Sequence, residues 1–196
     1  MGHHHMHKEL DCTHHQVLKV GHPAPEFEMD AVLADGESTD RFGKVSLKQN
    51  VDAGKWTVLY FYPRDFTFVC PTEIRRFNEL YPQFKELNAE VIACSTDSTY
   101  VHLKWQETDL GRLQHPHAAD TNHRVSYAYS VYEREAGLSL RGTFIIDPQG
   151  NLAQYSINNT GVGRNVEEVL RLLEACQAAA DGKLLPCEWK PGQKTL

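Results

Sequence analysis

The sequence lacks the features that would place the chain in a membrane, on nucleic acid or around a metal ion. No apolar run approaches the ~18 residues needed to span a bilayer, and the first fifteen residues, MGHHHMHKELDCTHH, contain no apolar core of a secretory signal. Lys and Arg number 20 against 26 Asp and Glu, so there is no surplus of positive charge for phosphates. These absences predict a cytoplasmic protein with no membrane segment and no nucleic-acid partner.

Cysteines are few, and their spacing matches none of the common redox or zinc-binding motifs. The five cysteines form no CxxC pair and no zinc-ligand pattern, and five is an odd number. A secreted disulfide framework is therefore disfavoured, and one or two chemically active thiols in a reducing compartment are favoured. The histidines of the leader could bind a metal, but an expression tag or a disordered leader is the preferred interpretation.

Hydrophobic patterning predicts alternating strands and helices. Residues 56–62 and 89–95 are continuous apolar runs typical of buried strands. A helix is predicted after Pro71, a second over STDSTYVHLKWQET, and a last one from Asn165 to about Gly182. The segments RGTFIID and LAQYSI, joined by PQGN, predict a β-hairpin.

This order of elements predicts an α/β fold of the thioredoxin-like kind. A strand–helix–strand unit followed by a hairpin and a closing helix gives a mixed central sheet flanked by helices. We expect a His-rich leader over residues 1–16 and an extended C-terminal arm over 184–196. Between them, residues 17–183 are enough for one domain with its own hydrophobic core, which begins with an N-terminal extension.

Cys70 stands where the first buried strand has ended and a helix begins. A helix N-terminus offers unpaired N–H groups and a partial positive charge, both of which favour a thiolate, and Pro71 suits an early helical position. A buried, inert cysteine is the ordinary alternative. Thr67 could present a hydroxyl to the same pocket, or simply cap the helix, and Pro63 could shield the thiol from water.

The segment PRDFTFVCPTE resembles the Pro-x-x-x-Thr/Ser-x-x-Cys signature of the peroxiredoxins, in the form found in the AhpC/typical 2-Cys group. The resemblance continues in LRGTFIIDPQG, GVGRNVEEVLRLLEA and PCEWKPGQ, and covers the chain from about Val17 onward. It implies a thiol-specific peroxidase that uses no metal or organic cofactor. Hydrogen peroxide and organic hydroperoxides would be its substrates, and a thioredoxin-like or AhpF-like dithiol reductant would recycle it.

The resemblance also implies a role for each matching residue. Cys70 would be the peroxidatic cysteine that becomes a sulfenic acid, and Cys187 the resolving cysteine of a partner subunit. Homodimers, assembled into a decamer of five dimers, are implied as well. Thr67 would hydrogen-bond the thiolate and the incoming peroxide, and Arg141 would stabilise the thiolate and the charge that develops on the leaving oxygen. Pro63 would close the pocket, and Glu73 and Arg164 would hold the arginine network of the active site.

Two features depart from the family pattern. ETDLGRLQHPHAAD replaces the Gly-Gly-Leu-Gly loop of members that are easily over-oxidised, and the chain stops nine residues after Cys187, without their extra helix. We therefore expect the Cys70 segment to unwind easily and to resist sulfinic oxidation. Cys94 and Cys176 fall on apolar patterns and are expected in the core. No metal or catalytic role is expected of four histidines in the body of the chain: His102, His115, His117 and His123.

Three alternatives remain open from the sequence. A one-cysteine peroxidase would leave Cys187 idle and use an external thiol. A redox-controlled chaperone or sensor would change its assembly on oxidation. A disulfide oxidoreductase on the same fold is the weakest, because CxxC is absent.

Overall fold

The computed structural model describes residues 17–196, and the leader lies outside the described residues. The strands are β1 (Glu28–Val32), β2 (Phe42–Ser46), β3 (Trp56–Phe61), β4 (Ala89–Ser95), β5 (His117–Ala119), β6 (Tyr132–Glu133), β7 (Leu138–Ser139), β8 (Arg141–Ile146) and β9 (Leu152–Asn158). The helices are α1 (Leu47–Asp52), α2 (Cys70–Glu86), α3 (Thr99–Trp105), α4 (Arg124–Ala128) and α5 (Val166–Ala180), with a 3₁₀ turn at Ser38–Arg41 and a π turn at Gln106–Leu110.

Seven strands form one mixed sheet in the order β2-β1-β5-β4-β3-β8-β9. Strands β3, β4 and β5 are parallel, whereas β8 and β9 continue the sheet as the predicted antiparallel hairpin. The α/β class with a mixed, helix-flanked sheet is thereby confirmed. The short β6–β7 hairpin stands apart from this sheet.

Strand β3 is buried on both faces because each face meets a different layer of apolar side chains. Val58 and Tyr60 belong to the cluster under α2 and α5, while Leu59 and Phe61 belong to the cluster on the opposite face. This double burial explains why the strand reads as a continuous apolar run rather than an alternation. It also makes the carboxyl end of β3 a rigid support for the residues that follow.

The long helices α2 and α5 begin at residues that suit a helix N-terminus. Pro71 occupies the first turn of α2, where its missing N–H costs nothing. Asn165 caps α5 by accepting a hydrogen bond from the backbone N–H of Glu168. Residues 184–196 contain no helix or strand, and the buried side chain of Trp189 fixes them to the body of the protein.

Within residues 17–196, no helix has both the length and the apolar character that crossing a bilayer requires.

Candidate active site

Cys70 is the first residue of α2 and is almost completely buried. The chain reaches it from the end of β3 through the loop 63–69. The thiol therefore lies at the positive end of a 17-residue helix, where the first backbone N–H groups have no partner within the helix. This placement agrees with the position that the sequence predicts for it.

Two buried arginines and one carboxylate form a network beside the thiol. Nη1 of Arg141, at the start of β8, lies 3.4 Å from Sγ of Cys70 and donates a 2.7 Å hydrogen bond to Glu73. Arg164 donates to Glu73 from its backbone N–H (2.8 Å), from Nε (3.0 Å) and from Nη2 (2.8 Å). Glu73 is 3% exposed, so its charge is compensated by two guanidinium groups rather than by water.

The scaffold holds both guanidinium groups in fixed positions. Nε of Arg141 donates to the carbonyl of Thr160 at 2.7 Å, and Nη1 of Arg164 donates to the carbonyls of Phe61 and Gly142 at 2.7 and 2.9 Å. Arg141 therefore presents an N–H to the sulfur without having to reorganise. A donor that is preorganised in this way is what stabilises charge moving between sulfur and a bound oxygen.

A cavity of about 480 Å³ opens onto the thiol. Among its lining residues are Cys70, Arg141, Thr67 and Pro63, four of the residues that the sequence assigns to one pocket. The Thr67 hydroxyl donates to the carbonyl of Arg64 at 2.9 Å, so its role toward the thiolate or a peroxide stays a prediction.

Cys187 lies apart from this cavity, exposed on the C-terminal arm. Arg171 of α5 donates to the carbonyl of Trp189 at 2.8 Å, which ties the arm to the helix two residues beyond Cys187. The structure of one chain therefore leaves the predicted pairing of Cys187 with Cys70 untested. Cys94 is wholly buried, and burial raises its pKa well above the usual value; Cys176 is half-buried with a raised pKa.

The structure also reveals a buried polar cluster that the sequence reasoning missed. Side chains of Tyr62, Asp65, His102 and His117 meet at the base of the loop 63–69. Nothing in their spacing signals this contact, because the residues come from a loop, a helix and a strand that only the tertiary fold brings together.

Comparison with known proteins gives a consistent result. The model of the AhpC/TSA family matches residues 20–155. A Bacillus subtilis (strain 168) protein, YkuU, whose name places it among the peroxiredoxins, is 53% identical over 182 residues, which are 90% of this chain and 97% of that protein. A thioredoxin peroxidase of Trypanosoma brucei rhodesiense is 46% identical over 91% of this chain and 89% of its own length.

Solved structures agree in fold as well as sequence. The reduced 2-Cys peroxiredoxin of Plasmodium vivax has a TM-score of 0.84 and 37% identity, covering 90% of this chain and 91% of its own. The AhpC of Enterococcus faecalis has a TM-score of 0.78 and 39% identity, covering 85% of this chain and 98% of its own. The thioredoxin-like architecture expected from the order of elements is thus confirmed.

Proposed function

This chain belongs to the AhpC/TSA family, whose relatives include peroxiredoxins, and from that premise we propose that it reduces hydrogen peroxide and organic hydroperoxides at Cys70. Family membership supports a peroxidase with a peroxide substrate and a dithiol reductant. The observation that carries the assignment to Cys70 is the 3.4 Å approach of the Arg141 guanidinium to a thiol that stands at the start of α2 and lines a cavity.

In the proposed reaction the Cys70 thiolate attacks one oxygen of the peroxide and the O–O bond breaks. The sulfur is oxidised to a sulfenic acid, and the other oxygen leaves as water or an alcohol after taking up a proton. Negative charge moves from sulfur to the leaving oxygen during this step. Arg141 suits such a step because it keeps its proton throughout and is already oriented by Glu73 and Thr160.

We propose that Cys187 of a partner subunit then resolves the sulfenic acid. The Cys187 thiol gives up its proton as its sulfur attacks Cys70, the S–O bond of the sulfenic acid breaks, and the oxygen takes up that proton and leaves as water. A thioredoxin-like or AhpF-like dithiol afterwards reduces the disulfide. The exposure of Cys187 on an arm without regular structure supports this role. A sulfenic acid that meets no thiol is open to further oxidation.

A dimer is part of the same proposal, with a decamer of five dimers as the larger assembly. Among the described residues, β8 is the only strand that pairs with β9 at the edge of the sheet. Leu152, at the start of β9, is also bonded to the backbone of Gly21 and His22, whereas Tyr155 and Ile157 further along are exposed. An edge strand with free backbone groups and exposed apolar side chains is suited to pairing with a second copy of the chain.

Stopped-flow mixing of the reduced protein with one equivalent of hydrogen peroxide tests the proposal. Tryptophan fluorescence gives the rate, and intact mass under denaturing conditions gives the product. We expect a fast reaction that ends in a Cys70–Cys187 linked dimer, no reaction in Cys70→Ser, and oxidation without a linked dimer in Cys187→Ser. Cys176→Ser is the matched control and should behave as wild type.

A slow reaction in the wild-type protein would refute the peroxidase assignment. A fast reaction with no linked dimer would leave Cys70 as the peroxidatic residue and assign resolution to an external thiol.

A further inference from the structure

The loop that precedes Cys70, residues 63–69, is attached to the rest of the protein by few buried groups. Of the loop residues 63–69, only Pro63 and Asp65 are buried, while Phe66 and Phe68 are exposed. Arg64 adds a hydrogen bond to the carbonyl of Ala136 at the surface. A segment with so few buried contacts opens at a lower free energy than the sheet beneath it.

The backbone of this loop also opposes its closed conformation. Phe66, next to Asp65, has a φ of +56°. Left-handed backbone is unfavourable for a bulky side chain, so it persists only where neighbouring contacts hold it in place. The ring of Phe66 packs against Trp105, with 5.7 Å between the ring centroids, and the buried hydrogen bonds beside it are those of Asp65.

Asp65 is held by three hydrogen bonds from the scaffold. Its carboxylate accepts from the hydroxyl of Tyr62 at 2.5 Å and lies 2.6 Å from Nδ1 of His102. Its backbone N–H donates to Asp97 at 3.0 Å. Nε2 of His102 lies 3.0 Å from the carbonyl of Ala118 and must donate to it, which leaves Nδ1 and Asp65 to share one proton.

The direction of the Tyr62 hydroxyl is fixed by a chain of donors that begins at Arg41. The side-chain oxygen of Gln106 accepts from Arg41 at 2.7 Å and from the N–H of Leu113 at 3.3 Å. The amide nitrogen of Gln106 must therefore donate to Nδ1 of His117, 3.0 Å away. His117 consequently carries its proton on Nε2.

From Nε2, His117 donates to the oxygen of Tyr62. The single hydroxyl proton of Tyr62 then has to point toward Asp65. Burial supports the same protonation states. It lowers the pKa of His117 well below its usual value, and His102, His115 and Arg41 act in the same direction. Burial also raises the pKa of Tyr62 well above its usual value.

The same arrangement argues against a metal ion at this place. The Asp65, His102 and His117 ligand atoms lie within 4.8 Å of one another. A ligating histidine donates from its other nitrogen, but Nδ1 of His117 accepts from Gln106. The donor pattern is that of a proton-ordered hydrogen-bond network.

We propose that Tyr62, Asp65, His102 and His117, the Asp65 anchor, are positioning residues that keep the loop 63–69 closed and thereby set how often Cys70 becomes accessible to a second thiol. Through Asp65 the anchor holds the loop that must move before the buried sulfur of Cys70 can form a disulfide, since bonded cysteines need Cα atoms within about 7 Å. The consequence for turnover rests on the two-cysteine cycle proposed above, whereas the effect on loop opening does not.

Alkylation of the reduced full-length protein by a bulky maleimide, read by peptide mass spectrometry, measures this opening without peroxide. Modification of Cys70 reports local opening, and modification of Cys94, in the central strand β4, reports unfolding of the sheet. Tyr62→Phe removes the hydroxyl that bonds Asp65. Tyr60→Phe is the matched control, because among residues 17–196 the buried Tyr60 hydroxyl finds no hydrogen-bond partner.

We expect Tyr62→Phe to raise the Cys70 alkylation rate by about tenfold or more, as befits the loss of a hydrogen bond to a charged group, with no change at Cys94. Tyr60→Phe should leave both rates at the wild-type level. Asp65→Asn provides a second variant and should act in the same direction. Combining it with Tyr62→Phe should give less than the product of the two effects, because both changes remove one interaction.

Unchanged Cys70 rates in both Tyr62→Phe and Asp65→Asn would overturn the proposal, as would a parallel rise at Cys70 and Cys94. With peroxide, the variants should form more linked dimer and less sulfinic acid than wild type. If Cys70 alkylation responds as expected but neither the wild type nor the variants form a linked dimer with peroxide, the anchor is supported and the two-cysteine cycle is refuted.

Discussion

Glu73→Gln is the substitution that the arginine network makes most informative. Glu73 accepts four hydrogen bonds, one from Arg141 and three from Arg164. Glutamine keeps the shape of the side chain but replaces one acceptor oxygen with an NH₂ group that faces guanidinium donors. It also removes the only carboxylate that, within residues 17–196, is paired with the two arginines. Breaking a buried ion pair from one side costs about 3–5 kcal/mol, a large fraction of the about 5–15 kcal/mol that stabilises a typical domain.

Urea denaturation followed by circular dichroism measures this loss. Glu79→Gln is the matched control, because Glu79 lies on the same helix and pairs with Arg76 at the exposed surface. We expect Glu79→Gln to unfold close to the wild-type urea midpoint and Glu73→Gln to unfold at a clearly lower one.

The same variant tests the catalytic argument. Without Glu73, the guanidinium of Arg141 loses one of the two groups that orient it, so the reaction of Cys70 with peroxide should slow by about tenfold or more. If Glu73→Gln matched Glu79→Gln in both its urea midpoint and its stopped-flow rate, the reasoning about the buried network would be refuted.

Two further substitutions test a buried neutral histidine and the packing around a glycine. Burial lowers the pKa of His115 from its ordinary value of 6.5 to about 4, so the unfolded chain binds a proton over this pH range that the folded chain does not. Stability should be intact above pH 6.5 and fall toward pH 4, and His115→Leu should remove about 3 kcal/mol of that fall in urea titrations at pH 7 and pH 4; an unchanged pH dependence would contradict this assignment. In Gly142→Ala the new Cβ would lie 2.6 Å from Val131 and 2.8 Å from Phe144, which should cost about 1–3 kcal/mol. Gly161→Ala, with its nearest atom 3.8 Å away, is the thermal-denaturation control, and equal melting temperatures would contradict the packing argument.

The elements that sequence patterning predicts are those long enough to show a period. Buried strands such as β3 and β4, the β8–β9 hairpin and the amphipathic helices α2 and α5 all carry six or more residues of consistent pattern. Strand β5 has three residues, and β6 and β7 have two each. Segments this short gain their structure from pairing with neighbours, so no local pattern marks them.

In the candidate site, too, some residues are marked by local sequence and others only by the tertiary fold. Local signature and resemblance single out Cys70, Thr67 and Arg141, and the structure places all three around one cavity. The hydrogen bonds from Arg164 to Glu73 span 91 residues of sequence, and their geometry depends on the folded sheet. His117 carried no signal at all, because its partners Tyr62 and Gln106 meet it only once β5 is inserted beside β4.

Two buried carboxylates flank the thiol, and their unequal attachments determine where opening begins. Glu73, three residues after Cys70, is fixed by two cationic side chains that are themselves bonded to the sheet. Asp65, five residues before it, is held by a neutral hydroxyl, by His102 and by one backbone bond. Charge-assisted bonds to guanidinium groups are the stronger set, so the loop should release at Asp65 while the arginine network stays formed. Changes at Asp65 should therefore alter Cys70 access alone, whereas Glu73→Gln should also raise access to Cys94.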